Sequence, residues 1–69
     1  MSESIYKIIE IIGTSPKSWE EAAKNAVEAA GKTVRDLRVA EIEQLDMKVE
    51  EAKVVAYRAK VRVSFKYEG

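Results

Sequence analysis

The segment I-I-G-T-S-P-K-S-W-E-E-A-A, residues 11–23, decides the fold of this chain. Apolar residues typical of a strand stop at Gly13, and a turn follows. Ser18, with Glu21 three residues later, forms a capping-box pattern, in which the serine hydroxyl accepts from a backbone N–H in the first helical turn. Pro16 supplies a second, overlapping start signal. The segment therefore predicts a strand that turns directly into a helix.

With 69 residues, the chain is predicted to be a single domain (1–69), and its composition limits how that domain is stabilised. A domain of this size buries only about 60% of the surface that its unfolded chain exposes, so its core is marginal, and small domains usually add disulfides, metal or oligomerisation. The chain has no cysteine and no histidine. Disulfides, thiolate metal sites and the commonest general base are therefore excluded, and self-association remains.

Charge and motifs exclude several classes of function. Twelve basic and twelve acidic residues give no net charge, so we expect neither nucleic acid nor an anionic membrane as a partner. No stretch reaches the roughly 18 apolar residues of a membrane span, and the N-terminus lacks the pattern of a secretion signal, so we expect a cytoplasmic protein. There is no phosphate-binding glycine loop or nucleophile elbow, and we expect no catalytic residue and no enzymatic activity.

Hydrophobic periodicity places one helix among three strands. Residues 18–33 follow the helical period, with a stripe made mostly of alanine and with Trp19 as its bulky member. Residues 4–12, 34–49 and 54–67 have the composition and alternation of strands. The predicted fold is α+β, in the order β-α-β-β, with a three-stranded antiparallel sheet wrapped part-way around one helix.

The two long strands predict their own register. If Glu51 and Ala52 occupy the centre of the turn, apolar residues face each other on one side of the ladder and opposite charges on the other. Each opposite-charge pair contributes roughly 0.2–1 kcal/mol, and a one-residue slip inverts both faces. The predicted facing pairs are Ile42–Val61, Ala40–Val63, Glu41–Arg62 and Glu43–Lys60.

The same register predicts an apolar patch on the side of the second strand that carries Glu41 and Glu43. A patch that faces away from the helix needs a cover, and a second subunit is the natural candidate in a chain with one helix. The predicted members are Val39, Leu45, Met47 and Val49.

Two stretches make this chain resemble the dodecins, namely residues 11–23 and the run K-T-V-R-D-L-R-V-A-E-I at residues 32–42. The resemblance extends from Ile5 to Lys66. It implies a hollow homododecamer that binds or stores a small ligand, for which the family ligand is a flavin, riboflavin or FMN. The run R-V-A-E-I-E-Q-L-D-M, residues 38–47, is similar to the calcium-dodecin branch.

The resemblance also implies positions for a flavin site. Val39 stands where a tryptophan usually stacks on the flavin ring, and Arg58 stands where a glutamine usually hydrogen-bonds the ring edge. Valine offers no π-face and arginine only donates hydrogen bonds, so we expect flavin binding to be weak or absent. The alternative is that both residues close an intersubunit interface, with Arg58 paired to a carboxylate. Leu45 is the third candidate for the pocket.

A divalent cation, calcium, is the alternative ligand. Calcium takes roughly six to eight oxygen ligands, more than one such chain offers in a compact cluster, but symmetry repeats a carboxylate around an axis. The candidate ligands are Glu41, Glu43, Asp46 and Glu50, with Asp46 on the opposite face from Glu41 and Glu43 if the strand is regular. Alternatively, Glu41 and Glu43 serve only as cross-strand partners of Arg62 and Lys60. A third hypothesis is a structural or interaction particle without a specific ligand.

Overall fold

The computed structural model describes residues 5–67. Its elements are β1 (Tyr6–Ser15), α1 (Trp19–Gly31), β2 (Leu37–Glu50) and β3 (Lys53–Lys66). The strands form one antiparallel sheet in the order β1-β3-β2, so the last strand of the chain is the central one. This confirms the predicted α+β fold with its β-α-β-β order. The predicted first residue of β1, at position 4, lies outside the described residues.

β1 continues beyond the predicted end at Gly13, which was wrong. Gly13 lies within the strand, opposite Ala59 of β3. A Cβ atom at this position would lie 2.0 Å from the carbonyl oxygen of Ala22 and 2.8 Å from the Cβ of Ala26. Glycine is needed here because α1 crosses the strand backbone closely, and not because the strand ends.

α1 begins as its capping signal predicts, although the second half of the capping box differs. The hydroxyl of Ser18 accepts from the Glu21 N–H at 3.0 Å. The Glu21 carboxylate accepts from the buried hydroxyl of Ser15 at 2.7 Å, instead of reaching back to the Ser18 N–H. Ser15 thereby ties the end of β1 to the first turn of α1. Within residues 5–67, the single helix has 13 residues and is not long and apolar enough to cross a membrane.

The core lies between α1 and the central strand β3, and small side chains fill it. The alanine stripe of α1 packs on alternate residues of β3, which confirms its predicted role. Because these side chains are short, the helix axis lies close to the sheet and the core is thin. The buried apolar residues of the described chain are Ala22, Ala26, Ala30, Ala59, Val61 and Val63.

The side chains of β3 alternate between two faces of the sheet. The inner face, which packs against α1, is marked by the buried residues Ala59, Val61 and Val63. The outer face turns away from α1. It consists of Arg58, Lys60, Arg62 and Ser64 of β3 and of the residues that lie opposite them on β1 and β2.

The hairpin of β2 and β3 turns at the predicted place. Glu51 and Ala52 have φ angles of 51° and 63°, as a two-residue type I′ turn requires. The predicted pairs Ile42–Val61, Ala40–Val63 and Glu41–Arg62 are confirmed. The pair Glu43–Lys60 was wrong, since a register shift between Ile42 and Gln44 places Gln44 opposite Lys60.

This β-bulge at Glu43 changes which side chains share a face of β2. An extra residue in one strand reverses the alternation beyond it. Leu45 and Met47 therefore lie opposite the inner-face side of β3, so their predicted place beside Glu41 was wrong. Asp46 lies on the outer face together with Glu41, and its predicted place on the opposite face was also wrong.

Candidate functional site

The outer face combines a polar band on β3 with exposed apolar side chains on both neighbouring strands. Ser64 lies between Ile8 of β1 and Val39 of β2, and both apolar side chains are more than half exposed. Ile12, opposite Lys60, is 56% exposed. Apolar groups flanking a polar band on an open sheet mark a surface that another molecule covers.

Asp46 and Arg58 form the best-defined polar pair of the outer face. They lie directly opposite each other, and the guanidinium donates two hydrogen bonds to the carboxylate, Nε to Oδ1 at 2.7 Å and Nη2 to Oδ2 at 2.9 Å. The hydrogen bond and charge of Arg58 hold the pKa of the Asp46 carboxyl below its usual 3.8, and the same contact raises the pKa of Arg58. Both side chains are more than a third exposed. Arg58 is thus paired with a carboxylate of its own chain.

Trp19 connects the start of α1 to the same segment of β2. Its indole N–H donates to the carbonyl oxygen of Asp46 at 2.9 Å. Its ring meets Tyr57 edge-on, with centroids 5.1 Å apart and planes at 72°. Trp19 thus binds the main-chain carbonyl of Asp46 from the α1 side of the sheet, while the carboxylate of Asp46 pairs with Arg58 on the outer face. Trp19 is therefore an anchor of the helix on the hairpin.

Val39 and Arg58 share the outer face but lie far apart along the sheet of one chain. Val39 is opposite Ser64, whose hydroxyl donates to the Val39 carbonyl at 3.4 Å. Ser64 is six residues from Arg58 along β3, which at strand spacing is about 20 Å. Val39 is 62% exposed. One chain therefore does not bring these two candidate residues together.

Leu45 lies in an apolar groove between α1 and β2. The groove has a volume of about 340 Å³ and is lined by Trp19, Glu20, Ala23, Ile42 and Leu45. The regular alternation used on the sequence missed it, because only the bulge turns Leu45 toward the helix.

Glu41 and Glu43 do not form the ion pairs proposed for them. The guanidinium Nε of Arg62 lies 3.6 Å from Glu10 Oε2, and the ammonium of Lys60 lies 3.8 Å from Glu10 Oε1. The ionic partner of both cations is thus on β1. Glu41 faces Arg62 as predicted but forms no ion pair with it, and the pairing of Glu43 with Lys60 was wrong. Across residues 5–67, neither of these two exposed carboxylates has an ion pair.

The four candidate metal ligands are spread along β2, and the last of them, Glu50, lies 3.5 Å from the ammonium of Lys48. In the part of a single chain that the structure describes, no three acidic side chains come together as a metal site. Asp46 is engaged by Arg58, whereas Glu41 and Glu43 present exposed carboxylate oxygens, which suit hard cations such as calcium. A cation site on these residues requires ligands from more than one subunit.

Sequence comparisons point to one family. The family model of the dodecins, described as "Dodecin", matches residues 5–68. The calcium dodecin of Mycobacterium tuberculosis is 54% identical to this chain over 63 residues, which cover 91% of this chain and 89% of that protein. The dodecin of Thermus thermophilus is 34% identical over 64 residues, which cover 93% of each protein.

Solved structures agree. Dodecin from Streptomyces coelicolor superposes with a TM-score of 0.92 at 32% identity, covering 100% of this chain and 99% of that one. The calcium-chelating calcium dodecin of Mycobacterium tuberculosis superposes with a TM-score of 0.84 at 52% identity, and the match covers 94% of this chain and 93% of that one. Because the family model spans nearly the whole chain and the relatives match over about nine-tenths of their length, the chain belongs to the dodecin family.

Proposed function

We propose that this chain is a non-enzymatic, homododecameric dodecin that binds calcium through carboxylates of β2 repeated by symmetry. The observation that carries the proposal is that Glu41 and Glu43 stand exposed without an ion pair in the described chain, since Glu10 pairs with both Lys60 and Arg62. The 54% identity to a calcium dodecin supports the same ligand.

The assembly is supported by how little of its apolar surface one chain buries. The buried core consists of alanine and valine side chains, while most of the larger aliphatic side chains stay exposed. A thin core of this kind stabilises a domain only marginally. Other copies of the chain would supply the missing cover. The exposed large apolar residues include Tyr6, Ile8, Ile12, Val39, Ile42, Leu45, Met47 and Val49.

Within the proposed site, the carboxylates of Glu41, Glu43 and Asp46 are not equivalent. The charge of Asp46 is already balanced by the two hydrogen bonds from Arg58, so this residue is the weakest of the three ligands. Glu43 occupies the bulge and lies close in sequence to Glu41. Calcium requires more oxygens than these two residues provide, and symmetry-related copies supply them. We therefore expect Glu41 and Glu43 to dominate the affinity.

Calcium titration of the assembled protein, freed of metal with a chelator, tests the proposal. Added calcium should raise the melting temperature progressively, because it binds only the folded assembly. Glu41→Gln and Glu43→Gln should each reduce that rise strongly, and Asp46→Asn only slightly. Glu28→Gln is the matched control, since it removes the same charge from the exposed face of α1. An equal calcium response in Glu41→Gln and Glu28→Gln would contradict the proposed ligands.

We expect weak flavin binding, because neither Val39 nor Arg58 offers the flavin ring a suitable contact. Val39 offers an aliphatic side chain, and the donors of Arg58 are already directed at Asp46. Titration of riboflavin, followed by quenching of its fluorescence, should show little change with the natural chain. The variant Val39→Trp with Arg58→Gln should quench it, since it supplies a stacking face and an acceptor. No quenching in this variant would refute the placement of the pocket.

A further inference from the structure

The Asp46–Arg58 pair differs from the other ion pairs of the described residues in how completely it occupies its carboxylate. Each oxygen of Asp46 accepts a hydrogen bond from the same guanidinium, at 2.7 and 2.9 Å. The ion pairs of Glu10 and Glu50 are longer, with N···O distances of 3.5–3.8 Å. A cation that belongs to the chain itself therefore already fills one of the proposed calcium ligands.

A guanidinium and a calcium ion compete for the same two oxygens. Arginine presents its N–H donors in a planar fork that matches both oxygens of a carboxylate. Calcium binds carboxylate oxygens at roughly 2.3–2.6 Å, through one oxygen or both. Two positive groups that close to one carboxylate repel each other strongly. Asp46 is therefore available to calcium only when the guanidinium of Arg58 has moved away.

The structure lets Arg58 leave while Asp46 stays in place. The side chain of Arg58 is 44% exposed, so its guanidinium can turn into water, and ion pairs at this exposure are weak. The main chain of Asp46 is held independently, because its carbonyl accepts the indole N–H of Trp19 at 2.9 Å. The carboxylate of Asp46 thus remains on the outer face after the guanidinium has gone.

We propose that Arg58 is an internal competitor of calcium, whose guanidinium occupies Asp46 and so limits how many carboxylates of β2 can bind the cation. This inference rests on the calcium binding proposed above and adds a regulating residue on β3. Arg58 itself contacts no cation and acts only through Asp46. Because the pair is exposed, the competition should lower the calcium affinity about two- to fivefold.

Calorimetric titration of calcium into the assembled protein, freed of metal with a chelator, tests this inference by a double-mutant cycle. Arg58→Gln should bind calcium about two- to fivefold more tightly than the natural chain. The combination of Arg58→Gln with Asp46→Asn should lose that gain, because the released carboxylate is then absent. Its calcium affinity should equal that of Asp46→Asn alone.

Lys60→Gln is the matched control for charge. It also removes one positive charge from the outer face, but its partner Glu10 is not a proposed calcium ligand. It should raise the calcium affinity less than Arg58→Gln does. Equal gains in the two variants, or a gain of Arg58→Gln that persists in the presence of Asp46→Asn, would show a general effect of charge and overturn the role of Arg58.

The same titrations separate a failure of this inference from a failure of the calcium proposal. Calcium binding that is no tighter in Arg58→Gln than in the natural chain would overturn only the role of Arg58. Absence of binding in both proteins would overturn both proposals. Binding by Arg58→Gln but not by the natural chain would support competition by Arg58 and contradict calcium binding by the natural chain.

Discussion

Which acidic residue pairs with each basic residue of the outer face decides which carboxylates of the candidate site stay unpaired. Glu10 serves both Lys60 and Arg62 from β1, and this leaves Glu41 and Glu43 of β2 exposed. These contacts are long, 3.6–3.8 Å, and solvent-exposed ion pairs contribute roughly 0–1 kcal/mol. These ion pairs therefore add little stability. Their main effect is that Glu41 and Glu43 remain free to bind a cation.

The Asp46–Arg58 pair makes stability depend on acid pH. The hydrogen bond from Arg58 lowers the pKa of the Asp46 carboxyl in the folded chain. The stabilisation from the ionised carboxylate is therefore complete above the pKa of the unfolded chain, near 3.8, and is lost as the pH falls through the lower pKa of the folded chain. Asp46→Asn lacks this contribution. The melting temperature of the natural chain should thus exceed that of Asp46→Asn near neutral pH and converge toward it under strong acid. A difference that stays constant from neutral pH to about pH 2 would contradict this assignment.

At the scale of elements, the bulge in β2 and the close crossing of α1 over β1 position the candidate residues. The bulge at Glu43 places Asp46 on the outer face and turns Leu45 toward α1. The crossing at Gly13 sets how close the helix lies, and therefore how Trp19 reaches the Asp46 carbonyl. A shift of the helix away from the sheet would open the apolar groove and release the hairpin.

The helix crossing gives a sharp stability prediction. Gly13→Ala places a Cβ 2.0 Å from the Ala22 carbonyl oxygen, and the backbone must move to relieve the overlap. We expect a loss of roughly 1–3 kcal/mol in the free energy of unfolding, measured by urea denaturation at fixed protein concentration. Gly31→Ala is the control, since its Cβ would approach no nearer than 3.7 Å, to Leu37 Cδ1. Equal effects of the two substitutions would contradict the close crossing.

On the scale of the whole molecule, the chain is an elongated sheet with a thin core on one face. It measures 56 × 20 × 16 Å, and the 13-residue α1 spans about 20 Å of that length. The helix therefore shields only part of the inner face, and no helix of the described residues lies on the outer face. Both faces carry exposed apolar side chains, which favours an assembly that buries them between copies.

The apolar groove tests that assembly. Leu45→Asp places a charge beside Trp19 and Ile42, where we expect another subunit to pack. Native mass spectrometry should show species smaller than the natural particle. Ala29→Asp, on the exposed face of α1, adds the same charge as a control and should leave the particle intact. An intact particle in Leu45→Asp would show that the groove is not an interface.

Much of this site could be predicted from sequence wherever the chain stays regular. The alternation along β3 has no interruption between Ala56 and Lys66, so its inner and outer faces followed directly. The faces of β2 could not be followed past Glu43, because a period-two pattern assumes that no residue is inserted. The ion pair of Arg62 with Glu10 could not be predicted from the sequence either, because the hairpin pattern already offered Glu41 as a facing partner and gave no information about β1.

By itself, the sequence determined the four elements, the turn at Glu51 and Ala52, the alanine face of the helix and the family, because these depend on local spacing and end signals. Only the tertiary structure decided the bulge, the choice of Glu10 as the partner of two cations, and the apolar groove between α1 and β2. Each of these depends on which distant segments lie side by side. Short-range patterns do not carry that information, because cross-strand contacts are settled by the packing of all three strands against one helix.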